Sequence, residues 1–171
     1  PFDASSNVDL KIVDDYNGYG IAHVRPYPFE LPAITPGGSN VFMQTAMENI
    51  GDGSAFGVDL HLLITKSDGT IWLDRHIMTA DVFANANAPG AFQELVPSDF
   101  PVGTYTYTYT VDPNNEIPES NENNNSSTGT FEVLAGSTGS PDLKIVDDYN
   151  GYGSIAHVRP YPFELPAITP G

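Results

Sequence analysis

"TYTYTYTVD", residues 104–112, alternates between two residue types that both favour extended backbone. Successive side chains of a strand leave on opposite faces. Tyr105, Tyr107 and Tyr109 therefore share one face, and Thr104, Thr106, Thr108 and Thr110 the other. Rings on one side and hydroxyls on the other suit a strand that packs on a core and faces water. A helix, turning about 100° per residue, would scatter those rings around its axis.

The same period of two recurs along the chain. "VDLKIVD" (Val8 to Asp14) is the first run. "NVFMQTAMENIG" (Asn40 to Gly51) sets Val41, Met43, Thr45 and Met47 against Phe42, Gln44, Ala46 and Glu48. "VDLHLLIT" (Val58 to Thr65) and "TIWLDRHIM" (Thr70 to Met78) flank Ser67-Asp68-Gly69, where the Asp-Gly pair suits a tight hairpin. "AFQELV" (Ala91 to Val96) stops at Pro97, and "GTFEVL" (Gly129 to Leu134) closes the set. Prolines lack the donors of a central strand, so Pro26 to Gly38 is expected to be a connection hugging a sheet edge. About seven antiparallel strands with turn signals between them and almost no helical spacing predict an all-β, immunoglobulin-like β-sandwich. Its core should hold Leu10, Ile12, Val41, Met43, Leu60, Leu62, Tyr107 and Phe131. A tyrosine near the start of the sixth strand is a candidate tyrosine corner.

"DLKIVDDYNGYG" opens this domain at Asp9 and returns at Asp142, followed each time by "IAHVRPYPFELPAITPG". The copies differ only by the insertion of Ser154. The chain thus divides into a lead-in (1–8), a sandwich repeat (9–134), a small flexible linker "AGSTGS" (135–140), and the first strand and Pro-rich connection of a following repeat (141–171). Below ~40 residues a chain rarely builds its own core. The last segment is therefore expected to borrow order, with Asp142, Leu143, Lys144, Ile145, Val146 and Asp147 pairing as a strand with another copy by exchange or by addition to a sheet edge. An engineered duplication is the other reading of "GSTGS", against which the inserted Ser154 argues.

Composition excludes several classes. Twenty-two acids against six lysines and arginines give a net charge of −16. Such a surface repels phosphate backbones and anionic headgroups, so neither nucleic acid nor a membrane is expected as a partner. No apolar run approaches the ~20 residues of a membrane span. With no cysteine there is no disulfide, no zinc–thiolate site and no thiol catalysis.

The opening Asp-Leu, "PGG" (Pro36 to Gly38), "ENIGDGSA" (Glu48 to Ala55), "FPVGTYTYTYTVDPNNEIPESNENNN" (Phe100 to Asn125) and the closing strand together resemble the CARDB domain, a bacterial cell-adhesion-related module. The resemblance covers Asp9 to Leu134 and is most specific in Val111 to Asn125. The chain departs from the usual pattern in its long Pro-rich connection and in the run Asn123 to Asn125. The resemblance implies an immunoglobulin-like sandwich of extracellular proteins, at the bacterial surface or secreted, often in tandem and without catalytic activity. A non-enzymatic extender repeat of an adhesin-type protein, with neighbouring copies as partners, is the expected role. The alternative is a module binding a surface glycan or protein.

Two acidic stretches are candidate calcium sites, since that ion takes oxygen ligands. Asp112, Asn114 and Glu116 are spaced like the start of a calcium loop, but without the glycine and distal glutamate of an EF-hand. A loop held by bonds to its own backbone is the competing reading. Asp14, Asp15 and Asn17 could hold calcium near a domain junction, or form a solvated turn with Gly18 and Gly20. Trp72, Tyr105 and Tyr109 could stack on sugar rings, against the plainer reading of core aromatics. The four histidines show no metal spacing, and His61 is expected to face out. Lys11 is expected to point to water rather than to form an isopeptide bond. No nucleophile motif or phosphate loop can be assembled.

Overall fold

The tyrosine and threonine stretch forms β7 (Gly103–Val111), with all three tyrosines buried and the threonines on the outer face. The structure, a computed structural model, describes residues 7–136. β7 is an inner strand of a sheet ordered β5-β4-β7-β8, with β4 Ala55–Lys66, β5 Ile71–Val82 and β8 Ser126–Val133. The other sheet is laid on β3 (Asn40–Asn49). β6 (Ala86–Leu95) pairs along the whole of one edge. β1 (Leu10–Ile12) and β2 (His23–Tyr27) share the opposite edge, β1 against Met47 to Asn49 and β2 against Asn40 to Gln44. Every pair is antiparallel, and the expected all-β sandwich is what forms.

All eight expected core residues are buried. Each aliphatic side chain so removed from water contributes about 1.5–3 kcal/mol before entropy is counted. The β4–β5 hairpin turns at the predicted Asp-Gly pair: Gly69 lies at φ +85, its N–H bonds Lys66 O at 3.0 Å, and Thr70 N–H bonds the Asp68 carboxylate at 2.8 Å.

The described residues hold eight strands rather than seven. His23–Tyr27 pairs with β3 although Pro26 lies within it, because an edge strand can turn the missing donor outward. The first strand is shorter than Val8 to Asp14: after Val13 N–H bonds Ala46 O, the chain leaves the sheet for a loop at Asp14 to Gly20 and returns where Thr45 Oγ1 bonds Ile21 O. β6 begins at Ala86, five residues before the run expected from Ala91, and passes through Pro89 and Gly90. The connection after β2 hugs an edge as expected, since Ile34 O accepts Leu134 N–H at 2.9 Å just beyond β8. The predicted strand from Asp142 to Asp147, with all of 141–171, lies outside the described residues.

Register gives the sandwich two poles. β1 starts, β3 and β5 end, and β4 and β8 start at one, here the N-terminal pole. β2, β6 and β8 end, β7 starts, and the β4–β5 hairpin turns at the other. Eight residues of β8 at ~3.3 Å each separate the two levels by about 25 Å.

Candidate functional site

The N-terminal pole is closed by the loop 112–125, which follows β7 directly. Asp112, at φ +46, donates its N–H to Asp59 O at 2.9 Å and turns both carboxylate oxygens inward. Oδ1 accepts Glu116 N–H at 3.0 Å and Oδ2 accepts Ile117 N–H at 2.8 Å. The loop then reaches across to the first strand. Ser120 N–H bonds Val8 O at 2.9 Å, Ser120 Oγ and Asn124 Nδ2 bond the two oxygens of Asp9 at 3.2 and 2.7 Å, and Glu119 accepts Leu10 N–H through Oε2. Glu119 Oε1 accepts Asn125 Nδ2 at 2.8 Å. Burial raises the Glu119 carboxyl above its ordinary range, outweighing the bonds from Leu10 and Asn125 that favour its charged form.

The three candidate residues of this loop take separate places. Asp112 is a clamp on its own backbone, while Asn114 and Glu116 are exposed, so the three do not converge. Asp14, Asp15 and Asn17 sit in the loop after β1. Asp14 pairs with Lys11 Nζ at 2.6 Å, and that bond holds the lysine above its usual range. Asp15 accepts Gly20 N–H at 2.8 Å, and Asn17 is at φ +54. Among the described residues no three of His, Cys, Asp and Glu come together as a metal site.

The aromatic candidates turn inward. Tyr105 and Tyr109 are each 1 % exposed, so neither ring offers a face to a sugar. Alternation along β7 put all three tyrosines on one face, and that face is the core. Trp72, half-buried, packs against Phe100, Tyr105 and Phe131 at ring distances of 4.5, 5.7 and 6.3 Å. Tyr105 Oη donates to Pro101 O at 2.7 Å, the bond of a tyrosine corner. Tyr109 Oη is buried without a partner, and burial pushes this phenol far above its usual range.

Sequence reasoning missed two clusters. On the outer face of β4 and β5, His61 meets Asp74 at 2.6 Å, and Asp59 takes Thr79 Oγ1 at 2.6 Å and His76 at 3.2 Å. The Thr79 hydroxyl, helped by His76, holds Asp59 below the usual carboxylate range. A period of two groups Asp59 with His61 and Asp74 with His76, but only the register, which shifts between Leu60 and His61, brings Thr79 and the two strands' residues together. At the unclosed edge between β2 and β8 lies a groove of about 390 Å³, with Val24, Arg25, Ile34, Tyr107, Phe131 and Leu134 on its walls. Arg25 stacks over Phe29 at 3.7 Å and Phe42 at 5.4 Å.

The antiparallel sheets and the tyrosine corner, with the most polar loop bonded to the first strand, define an immunoglobulin-like β-sandwich domain. The CARDB profile matches residues 30–129, and the chain belongs to that family. Similar solved structures include the CARDB domain of the PF1109 protein from Pyrococcus furiosus, crystallised in complex with di-metal ions. It shares 19 % identity at a TM-score of 0.54, over 78 % of this chain and 99 % of that one. The solution structure of the same domain gives 20 % and 0.49, over 77 % and 97 %. The 272–376 domain of a protein from Methanosarcina acetivorans, described as a cell-surface protein, gives 23 % and 0.45, over 65 % and 92 %. No curated protein matches the chain.

Proposed function

We propose that the sandwich is a non-enzymatic spacer repeat of a bacterial cell-surface protein of the adhesin type, and that the stretch from Asp142 opens the next repeat. The observation that carries this reading is the position of the chain ends. The first strand enters at the N-terminal pole, where Asp9 is held by Ser120 and Asn124, and the last leaves at the opposite pole, beyond Val133. A domain entered at one end and left at the other adds its length to an array. A domain with both ends on one side would not. The return of the opening sequence 133 positions later supplies the next unit.

Scattering from proteins of one, two and three whole repeats tests this. The maximum dimension should grow with each unit by about 40 Å, the length of the twelve-residue β4 at ~3.3 Å per residue. A dimension that stops growing, or a compact dimer of units, overturns the spacer.

The second opening repeats two of the three residues that the loop 112–125 reads in the first, Asp142 for Asp9 and Leu143 for Leu10, and has Pro141 for Val8, of which the loop uses only the backbone carbonyl. We propose that it pairs with the β3 edge of another copy in the same way. Light scattering on the full chain and on residues 1–136 should show association of the longer protein alone, lost on Leu143→Asp. Equal masses for both would refute the exchange.

A further inference from the structure

The described residues leave ten large apolar side chains exposed. Three of them are stacked locally: Tyr19 on His23 at 3.7 Å, Tyr27 on Phe29 at 5.0 Å, and Phe29 on Phe42 at 5.2 Å. The other seven divide by pole. Ile50, Phe56 and Phe83 lie at the N-terminal pole, and Ile71, Leu95, Val102 and Leu134 at the C-terminal pole. Single exposed apolar residues scattered over a surface need no explanation, but these are gathered at the two ends.

We propose that consecutive units of this domain stack pole on pole, the Phe56 and Phe83 end of each unit covering the Leu95, Val102 and Leu134 end of the unit before it. The inference rests on the repeat reading above and names the partner surface: a second copy of this sandwich, head to tail. It makes the array a jointed rod with contacts at every junction rather than beads on a string.

The N-terminal patch is built, not merely left over. The β4–β5 register breaks between Ala55 and Val58, and Gly57 at φ +67 carries the chain round the bulge with its N–H on Asp81 Oδ1 at 3.0 Å. A bulge re-aims a side chain, and here Phe56 is turned out, 66 % exposed. Phe83, 58 % exposed, meets it edge to face at 6.3 Å. The turn carrying Phe83 is tied to the β3–β4 loop by Asn85 N–H on Gly51 O at 3.2 Å and Ala84 N–H on Ser54 Oγ at 3.3 Å. The pair is therefore displayed on a braced corner.

The chain path joins the two patches. Leu134, one of the exposed residues of the C-terminal pole, is the last residue before the linker, and across from it the β7–β8 register places Val102. The unit is entered beside the other patch, where Gly53 N–H bonds Asn7 O at 3.1 Å, three residues before Phe56. Ala135 to Ser140 is six residues, at most about 20 Å when extended. A linker so short holds the next unit's N-terminal pole at an effective concentration of order mM. Patches this small would not hold two free proteins together, since stable association needs ~1,200 Å² or more. A tethered copy is the occupant they fit.

The test compares thermal melting of the single unit, residues 1–136 with the complete core, against two whole units joined by Ala135 to Ser140. The tandem should melt higher by about 4 °C, with the single unit monomeric. Replacing Phe56 and Phe83 by Ser in the second unit should remove the gain. The same two substitutions in the first unit, whose N-terminal pole faces no copy, should leave it. No gain in the tandem, or equal loss from either location, overturns the stacking. Because both side chains are exposed, the single unit carrying the two substitutions should melt as the parent does, and a fall there of the same size as in the tandem would also refute it. Scattering separates the two ideas: an extended but flexible tandem keeps the spacer and loses the stacking, whereas a compact one loses both.

Discussion

Two tyrosines four residues apart on one strand do different work. Tyr105 Oη closes a corner on Pro101 O, while Tyr109 Oη is buried with no acceptor. A made hydrogen bond is worth about 1 kcal/mol net, but a buried hydroxyl left alone carries its desolvation cost uncompensated. Tyr105→Phe should therefore cost about 1 kcal/mol, and Tyr109→Phe should be neutral or stabilising by up to about 1 kcal/mol. Denaturant melts of the two variants read the contrast, and equal losses would contradict it. The sequence made the shared face legible, because alternation at period two is local. The fate of each hydroxyl was not, since it depends on Pro101 and on a second sheet whose contacts no spacing records. For the same reason Trp72, Tyr105 and Tyr109 could be read as a sugar platform until their burial was seen.

At the level of elements, the loop between β7 and β8 acts as a latch on β1. Glu119 bonds a strand 109 residues away, so nothing local announces it. Because burial raises its folded-state pKa above the unfolded value, the stability it contributes is present in full below about pH 4.5 and is lost as pH rises through the raised value. Glu119→Gln keeps an acceptor for Leu10 N–H, and its amide can satisfy Asn125 Oδ1, which now lacks a partner. The stability difference between parent and Glu119→Gln, followed from pH 7 to pH 4, should shift in the parent's favour as the parent's carboxyl is protonated. A flat difference would mean the carboxyl titrates normally. Glu119→Ala leaves the Leu10 amide bare and should cost about 1–3 kcal/mol. Gly129 is legible only after the register is known. It faces Tyr107 across β7–β8, and a Cβ there would stand 2.3 Å from Tyr107 Oη and 2.5 Å from Cζ. Gly129→Ala should cost about 2–3 kcal/mol by overpacking, and less when Tyr107→Val is already present, which a double-mutant cycle measures. The element hardest to foresee was β2, where Pro26 hid an edge strand and made eight strands look like seven.

For the whole molecule, the polar placement of the two chain ends decides how tension would act. A pull on the two ends of the domain draws β1 out at the N-terminal pole and β8 out at the other, both along their own strands. Antiparallel bonds run perpendicular to the strands, so such a pull loads all of them at once instead of opening them one by one. β1 is only three residues long, and its hold on β3 is doubled by the bonds from Glu119, Ser120 and Asn124 to Val8, Asp9 and Leu10. The latch should therefore set the force at which a unit gives way, because rupture under load follows the unfolding barrier rather than equilibrium stability. Stretching a tandem protein at constant speed should show one event per unit, each releasing roughly 400 Å of chain at ~3.6 Å per residue. Glu119→Ala should lower that force, while Tyr109→Phe, far from β1 in the chain and absent from the latch, should not. If the two variants rupture at the parent's force, the resistance lies elsewhere, in β7–β8, and the loop 112–125 closes the pole without bearing load.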